Sequence, residues 1–228
     1  GAPACGMMKK PTRTGPLAGA TMRKLTTAEL VAAKPSPEEF ARWPRHPIYV
    51  VCDNIRSLLN VGLIFRLCDA ARVARLYLCG ITGYPPLPDD PRPPWVAERA
   101  GRVIAKTAIQ TVQFVPWEYQ PSALTVVRHL KAQGVQIVAL EQTDESLPFT
   151  EAPYRFPLCL ILGHEREGVE DAVLAEVDFA VEIPMYGMGN SLNVAMAFGI
   201  AVYEILHCCL KPQPPTTPAR QTAPAPPG

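Results

Sequence analysis

No run in this 228-residue chain is long and uniformly apolar enough to cross a bilayer. The most apolar stretch, from Leu192 onward, is broken by Asn193, Glu204 and His207, so it reads as a buried helix and no membrane partner is expected. The N-terminal residues are basic but carry no apolar core segment, which argues against a secretory signal. Neither a GxGxxG nor a GxxxxGKS/T pattern occurs, which counts against a dinucleotide or P-loop site. The seven cysteines show no metal-finger spacing, so no metal is expected. Most lie within apolar runs, which fits buried free thiols in a reducing cytoplasm. A net charge of +1 gives no global sign of a nucleic-acid partner, and any such evidence must be local. No internal repeat is visible.

What the chain has in excess is proline, 26 residues in all. Six of them fall between residues 83 and 94, which excludes regular structure there and marks a functional or disordered loop. Seven more crowd the tail from Lys211, residues 211–228, which is expected to be disordered. Residues 1–45 form a second low-pattern segment. Its first 28 residues carry Lys9, Lys10, Arg13, Arg23 and Lys24 and no acid. This reads as a mostly disordered extension with one short helix after Pro37. A solubilising tail, an RNA-tracking arm and an organellar transit sequence all fit such a composition.

Between these flanks, residues 46–210 alternate strand and helix patterns. His46–Cys52 (HPIYVVC) is a doubly buried strand, followed by a helix from Asn60 to about Arg72 with Val61, Ile64, Phe65 and Cys68 as its apolar stripe. Strands are expected at 75–80, 111–115, 135–140, 158–162 and 179–183. Helices are expected at 95–108, 122–133, 170–175 and 191–210. The fold class is therefore α/β, with a largely parallel sheet flanked by helices. On the 95–108 helix, Arg99, Arg102 and Lys106 share one face, which could follow a phosphate backbone or simply be solvated.

Three constellations carry chemistry. In NVGLIFR (Asn60–Arg66), polar groups follow the carboxyl end of a buried strand, where open α/β sheets place ligands. Gly62 allows close approach to the helix backbone and Arg66 lies on the same face, although an Arg66–Asp69 ion pair is an equally plain reading. In LGHEREG (Leu162–Gly168), two glycines flank an acidic turn after a strand, exposing amides to an uncharged or zwitterionic ligand. In IPMYGMGNSLNV (Ile183–Val194), Pro184 stops a strand and a glycine loop leads to Ser191 and Asn193 at a helix start. Asn190 or Ser191 is the expected cap. Asn193, on a helix apolar nearly all round, is expected to be buried and to need partners.

Together these stretches resemble the SpoU/TrmH-type RNA 2′-O-ribose methyltransferases of the SPOUT class, over roughly Pro47 to Leu210. The resemblance implies a C-terminal deep trefoil knot, an exception to the rule against threaded chains. It implies S-adenosylmethionine as cofactor, tRNA or rRNA as substrate, and a homodimer with its active site at the subunit interface. By position, Arg66 matches the catalytic arginine and Asn60 its polar companion. Glu165 matches the second motif's glutamate, and Ser191 and Asn193 match the polar pair of the third. Gly163, Ile183 and Leu192 are implied as backbone contacts to the cofactor, with Met185 and Ser191 beside them and Leu140 closing the adenine side.

A ribose 2′-hydroxyl is a poor nucleophile and needs a base or an electrostatic aid. Guanidinium holds its proton, so orienting the hydroxyl and neutralising the adjacent phosphate suits arginine better than acting as base. The chain departs from the family pattern at Ala195, where a serine is common, and at Arg72, where a glycine usually leads into the next strand. Residues 1–45 are too few for a separate RNA-binding domain. Substrate selection is then expected from the basic arm, the proline loop, Arg56 and the Arg99–Arg102–Lys106 face. Ala195 and Gly199 suggest close helix packing at the dimer interface. Two alternatives stay open: an RNA-binding member of the fold without catalysis, and a small-molecule enzyme with a nucleotide cofactor.

Overall fold

The computed structural model of the chain describes residues 23–210. The basic residues Lys9, Lys10 and Arg13 and the proline-rich tail lie outside that range. The chain divides into two units, Gly1–His46 and Pro47–Gly228. In the first, α1 (Thr27–Ala32) and α2 (Pro37–Arg42) each open on a capping box, Thr26 with Glu29 and Ser36 with Glu39. Pro37 stands at the first helical position as expected, whereas α1 falls where composition alone shows no periodicity.

The second unit runs β1 (His46–Asp53), α3 (Leu58–Ala70), β2 (Val73–Cys79), α4 (Pro94–Ala108), β3 (Trp117–Gln120), α5 (Ala123–Ala132), β4 (Gln136–Leu140), β5 (Leu147–Pro148), β6 (Leu158–Leu162), α6 (Asp171–Leu174), β7 (Phe179–Glu182) and α7 (Val194–Leu210). The seven strands lie in the order β3-β2-β1-β6-β4-β7-β5. β1 with β6, β2 with β3, β4 with both β6 and β7, and β7 with β5 all pair parallel. The α/β class and parallel sheet agree with the alternating pattern of the sequence.

Side chains alternate across the sheet and build a core on each face. Ile48, Val50, Cys52, Leu158, Leu160 and Leu162 point into one core with Phe65 of α3, Ile104 of α4 and Phe198 of α7. Val51, Cys159, Ile161, Ile137 and Ala139 point into the other with Val127 and Leu130 of α5 and Val173 of α6. The central strands are buried on both faces, which is why they read as continuous apolar runs. Each fully buried Leu, Ile or Phe contributes roughly 1.5–3 kcal/mol of transfer free energy. Among the described residues the cysteines are free: Cys52, Cys68, Cys79 and Cys159 are buried, and Cys208 and Cys209 partly so. No helix among the described residues is long and apolar enough to cross a membrane.

Several boundaries differ from the sequence expectation. Residues 111–115 are not a strand: Ile109 and Gln110 take positive φ values at the end of α4, and Thr111–Phe114 forms a 3-10 turn. The strand falls instead at Trp117–Gln120, paired with Leu76–Cys79, so tertiary pairing outweighs the β-branched composition just before it. β5 was too short for a periodic signal. α3 begins at Leu58 with Ser57 as its cap, Ser57 Oγ accepting from Asn60 N at 3.4 Å, rather than with Asn60. α7 begins at Val194, three residues later than its pattern suggests.

The proline loop before α4 has no regular structure, as expected, and Arg92 orders it. Its guanidinium pairs with Asp90 at 2.6 Å, donates to the carbonyls of Tyr84 and Pro85, and lies 3.5 Å above the Tyr84 ring. That ring in turn stacks on Tyr119 at 4.2 Å. Arg72 takes φ +48 at the α3–β2 junction, a left-handed position where glycine is the easier residue.

Candidate functional site

The carboxyl ends of β4, β6 and β7 and the start of α7 surround a cavity of about 460 Å³. This is where open parallel sheets bind ligands, because strand ends and helix starts leave backbone groups free there. Each residue expected to touch a cofactor lines it: Leu140, Gly163, Ile183, Met185, Ser191 and Leu192. Glu165 and Asn193 line it as well. Leu140, Val181, Ile183 and Leu192 give it apolar walls, while Glu141, Glu165 and Glu182 bring carboxylates. Apolar walls for a flat ring beside carboxylates for a cationic group suit a ligand that carries both.

The turn from Gly163 to Gly168 closes on itself. His164 N donates to Gly168 O and Gly168 N to His164 O, both at 2.9 Å. His164 Nδ1 accepts from the amides of Arg166 and Glu167 at 3.2 Å, so this histidine organises the turn. No cluster of metal-ligating side chains occurs among the described residues. A Cβ at Gly163 would collide with the backbone of Gly168 and Val169, so the turn itself requires this glycine. Glu141, which the sequence reading missed, ties the turn to the end of β4. Its carboxylate accepts from Val169 N at 3.0 Å and Gln142 N at 2.9 Å. Its place directly after a strand end was the only signal that could have found it.

A chain of hydrogen bonds joins all three sequence motifs. Glu165 accepts from Arg56 N, Ser57 N and Asn60 Nδ2 at 2.9, 2.9 and 2.8 Å. Asn60 Oδ1 accepts from Asn193 Nδ2 at 3.0 Å. Asn193 Oδ1 then accepts from Ala195 N at 3.0 Å and Met196 N at 3.3 Å, which makes Asn193 the cap of α7 in place of Asn190 or Ser191. Asn60 is buried, whereas Asn193 is exposed, contrary to the expectation of burial, yet it has the partners that expectation called for. Burial works against the charged form of Glu165. The three donors from Arg56, Ser57 and Asn60 outweigh it and hold the carboxyl below its ordinary range. At Asp53 burial prevails over the bond from Glu170 N, and its carboxyl is raised.

Other expected residues stand apart. Arg66 is exposed on α3, does not line the cavity, and makes no side-chain hydrogen bond or ion pair with any described residue. The Arg66–Asp69 pair is therefore not formed. Gly62 admits a neighbouring helix and no ligand: a Cβ there would meet Thr107 Oγ1 and the Ile104 carbonyl of α4. Arg56 contributes its amide to Glu165 while its side chain is exposed. Arg99, Arg102 and Lys106 are all exposed on α4, opposite its buried Ala97, Ala100, Ile104 and Ala108. Ser191 is exposed at the cavity. Ala195 is buried, and Gly199 faces Leu67 of α3 at 3.3 Å from its would-be Cβ, so both small residues pack inward.

Residues 47–203 match the family model described as the SpoU rRNA Methylase family. The chain belongs to this family. It is 31% identical over 161 residues to the tRNA (guanosine(18)-2′-O)-methyltransferase of Escherichia coli K12, a match covering 70% of this chain and 63% of that protein. The chain thus spans less than two thirds of the length of that relative. It is 31% identical to the enzyme of the same name from Aquifex aeolicus, over 69% of this chain and 67% of that one. Among solved structures, the A. aeolicus TrmH/SpoU tRNA modifying enzyme aligns with a TM-score of 0.56 at 29% identity, covering 72% of this chain and 75% of that one. An AdoMet-bound rRNA methyltransferase from Sinorhizobium meliloti aligns with a TM-score of 0.58 at 27% identity, over 72% and 58%.

Proposed function

We propose that this chain transfers a methyl group from S-adenosylmethionine to a ribose 2′-hydroxyl of tRNA or rRNA. The observation that carries the reading is the Glu165–Asn60–Asn193 chain, which draws three motifs distant in sequence to one cavity at the strand ends. Family relatives named as 2′-O-methyltransferases of tRNA and rRNA support the same reaction.

The cavity fits the cofactor by its chemistry. Leu140, Ile183 and Leu192 offer apolar contact to an adenine ring, Gly163, Met185 and Ser191 lie beside them, and the carboxylates suit a cationic sulfonium and amino group. S-adenosylmethionine, when bound, supplies the methyl group to the ribose oxygen. Glu165 keeps its charge and fixes the segment from Arg56 to Asn60. Asn193 and Ser191 present polar groups at the start of α7. Arg66 is assigned to the ribose and its adjacent phosphate, orienting the hydroxyl and neutralising charge. Arg56, Arg99, Arg102 and Lys106 are assigned to the RNA backbone.

The active form is read as a homodimer. Met196, Ile200 and Tyr203 recur at i, i+4 and i+7 on α7 and stay 64%, 41% and 53% exposed, an apolar stripe that a second copy would cover. Arg66 standing outside its own cavity agrees with a site completed at such an interface. A trefoil knot is part of the same proposal, and the hydrogen bond from Gln142 Nε2, after β4, to Asn190 O, before α7, at 2.9 Å is compatible with it. Residues 46–210 are taken as the methyltransferase domain, with 1–45 and 211–228 as flanking extensions. The free, buried cysteines support a reducing compartment such as the cytoplasm. Titration calorimetry should detect S-adenosylmethionine binding at micromolar concentration, and no heat at millimolar ligand would sink the assignment.

A further inference from the structure

A second cavity, of about 310 Å³, shares no described lining residue with the first. It sits between the carboxyl end of β2 and the start of α4, with Leu58, Ile81, Tyr84, Trp95, Arg99 and Tyr119 among its walls. Neighbouring residues at the start of α3 link the two walls: Ser57 N is held by Glu165, which lines the first cavity, and Leu58 lines the second. Its size is at the low end of the ~300–1,000 Å³ usual for small-molecule sites, enough for one flat ring system.

Its walls are tied together by ring contacts and hydrogen bonds. Arg92, Tyr84 and Tyr119 form a stacked pillar, and Tyr119 Oη donates to Gly80 O at 3.0 Å. Asn54 Oδ1 accepts from Ile81 N at 3.0 Å, and Thr82 bridges Cys52 O and Ile55 N at 3.1 and 2.9 Å. Against this fixed frame Trp95 is 68% and Ile81 66% exposed, apolar area the fold itself does not cover. Among the described residues, no acidic side chain lines the cavity. Arg99 is exposed and makes no side-chain hydrogen bond or ion pair with any described residue.

We propose that this cavity receives an unpaired nucleobase of the RNA, stacked on Trp95, with a neighbouring phosphate on Arg99. The proposal rests on the reading of RNA as substrate and adds the place where a base next to the target is held. Aromatic area beside arginine, without a carboxylate, is the composition of single-strand stacking platforms. A cationic ligand is disfavoured by Arg99, whereas Arg92 is already neutralised by Asp90. A frame tied together in this way loses little entropy on binding, so the exposed indole can act at once.

The test uses the full chain and a synthetic single-stranded RNA oligonucleotide, with a duplex of the same sequence as control. Single-stranded RNA should quench tryptophan fluorescence, the duplex should not, and Trp95→Phe should remove the response. In methyl transfer, Trp95→Ala should raise KM for RNA about tenfold to a hundredfold, with kcat and S-adenosylmethionine affinity nearly unchanged. Trp95→Phe should recover most of that loss, and unchanged thermal melts would exclude unfolding. An unchanged KM in Trp95→Ala, or quenching that persists in Trp95→Phe, overturns the subsite while the methyltransferase reading stands. Quenching by a proline-rich peptide and not by RNA overturns it in favour of a protein partner. RNA quenching through Trp95 in a protein that neither binds S-adenosylmethionine nor methylates RNA supports the subsite and removes the activity.

Discussion

Glu165 is where residue chemistry and fold meet. Its carboxylate accepts from the main-chain amides of Arg56 and Ser57 ahead of α3 and from the Asn60 side chain within it, which fixes the entry to the helix. Glu165→Gln keeps one acceptor oxygen, removes the charge and leaves donors competing for it. These bonds lie at the surface, so a loss of about 0.5–1 kcal/mol in urea unfolding is expected at pH 7. Because the folded pKa is depressed, this contribution is fully present above the ordinary carboxylate value of about 4.3 and fades as pH falls through the folded pKa. The gap between wild type and variant should therefore be flat near neutrality and shrink only in stronger acid; a gap already closing at pH 6 would contradict it. The residue types of this site were legible in the sequence, since Asn60, Glu165, Ser191 and Asn193 fall in recognisable motifs. The cap role of Asn193 was not, because Asn190, Ser191 and Asn193 are all competent caps and only the position of Asn60 chooses among them.

At the scale of elements, the buried strands were legible because both faces are covered, which leaves long β-branched runs. β3 was hidden because Thr111, Val112 and Val115 look more strand-like than Trp117–Gln120, and pairing with β2 is a long-range fact. Gly62 teaches a related lesson. Its motif position suggests an approaching ligand, yet its missing side chain is filled by α4, where Thr107 Oγ1 donates to Leu59 O at 2.9 Å. Gly62→Ala should force α3 and α4 apart at a cost of about 1–3 kcal/mol. Thermal melting should fall by several degrees, and an unchanged melting temperature would remove Gly62 from the packing role. Arg66 follows about one turn later on the same helix, so a displaced α3 would also misplace it.

For the molecule as a whole, a parallel sheet with helices on both faces leaves α7 with more apolar surface than one chain can cover. The small residues Ala195 and Gly199 are used inside the chain, and the outward stripe of Met196, Ile200 and Tyr203 is the part of α7 assigned to the proposed second copy. Ile200→Asp should convert a dimer to a monomer in light scattering at micromolar concentration, and a wild type already monomeric there would refute the interface. None of this stripe was separable from core by sequence, since α7 is apolar nearly all round.

The central claim is methyl transfer to a ribose hydroxyl, and mapping 2′-O-methyl groups in tRNA and rRNA after incubation with S-adenosylmethionine tests it most directly. Wild type should install the mark at a defined nucleotide. Arg66→Ala should lose a hundredfold or more of the rate while binding the cofactor normally, on the order expected for removing a group that stabilises the transition state. A wild type that binds S-adenosylmethionine but leaves both RNA pools unmodified would contradict the account, as would full turnover in Arg66→Ala.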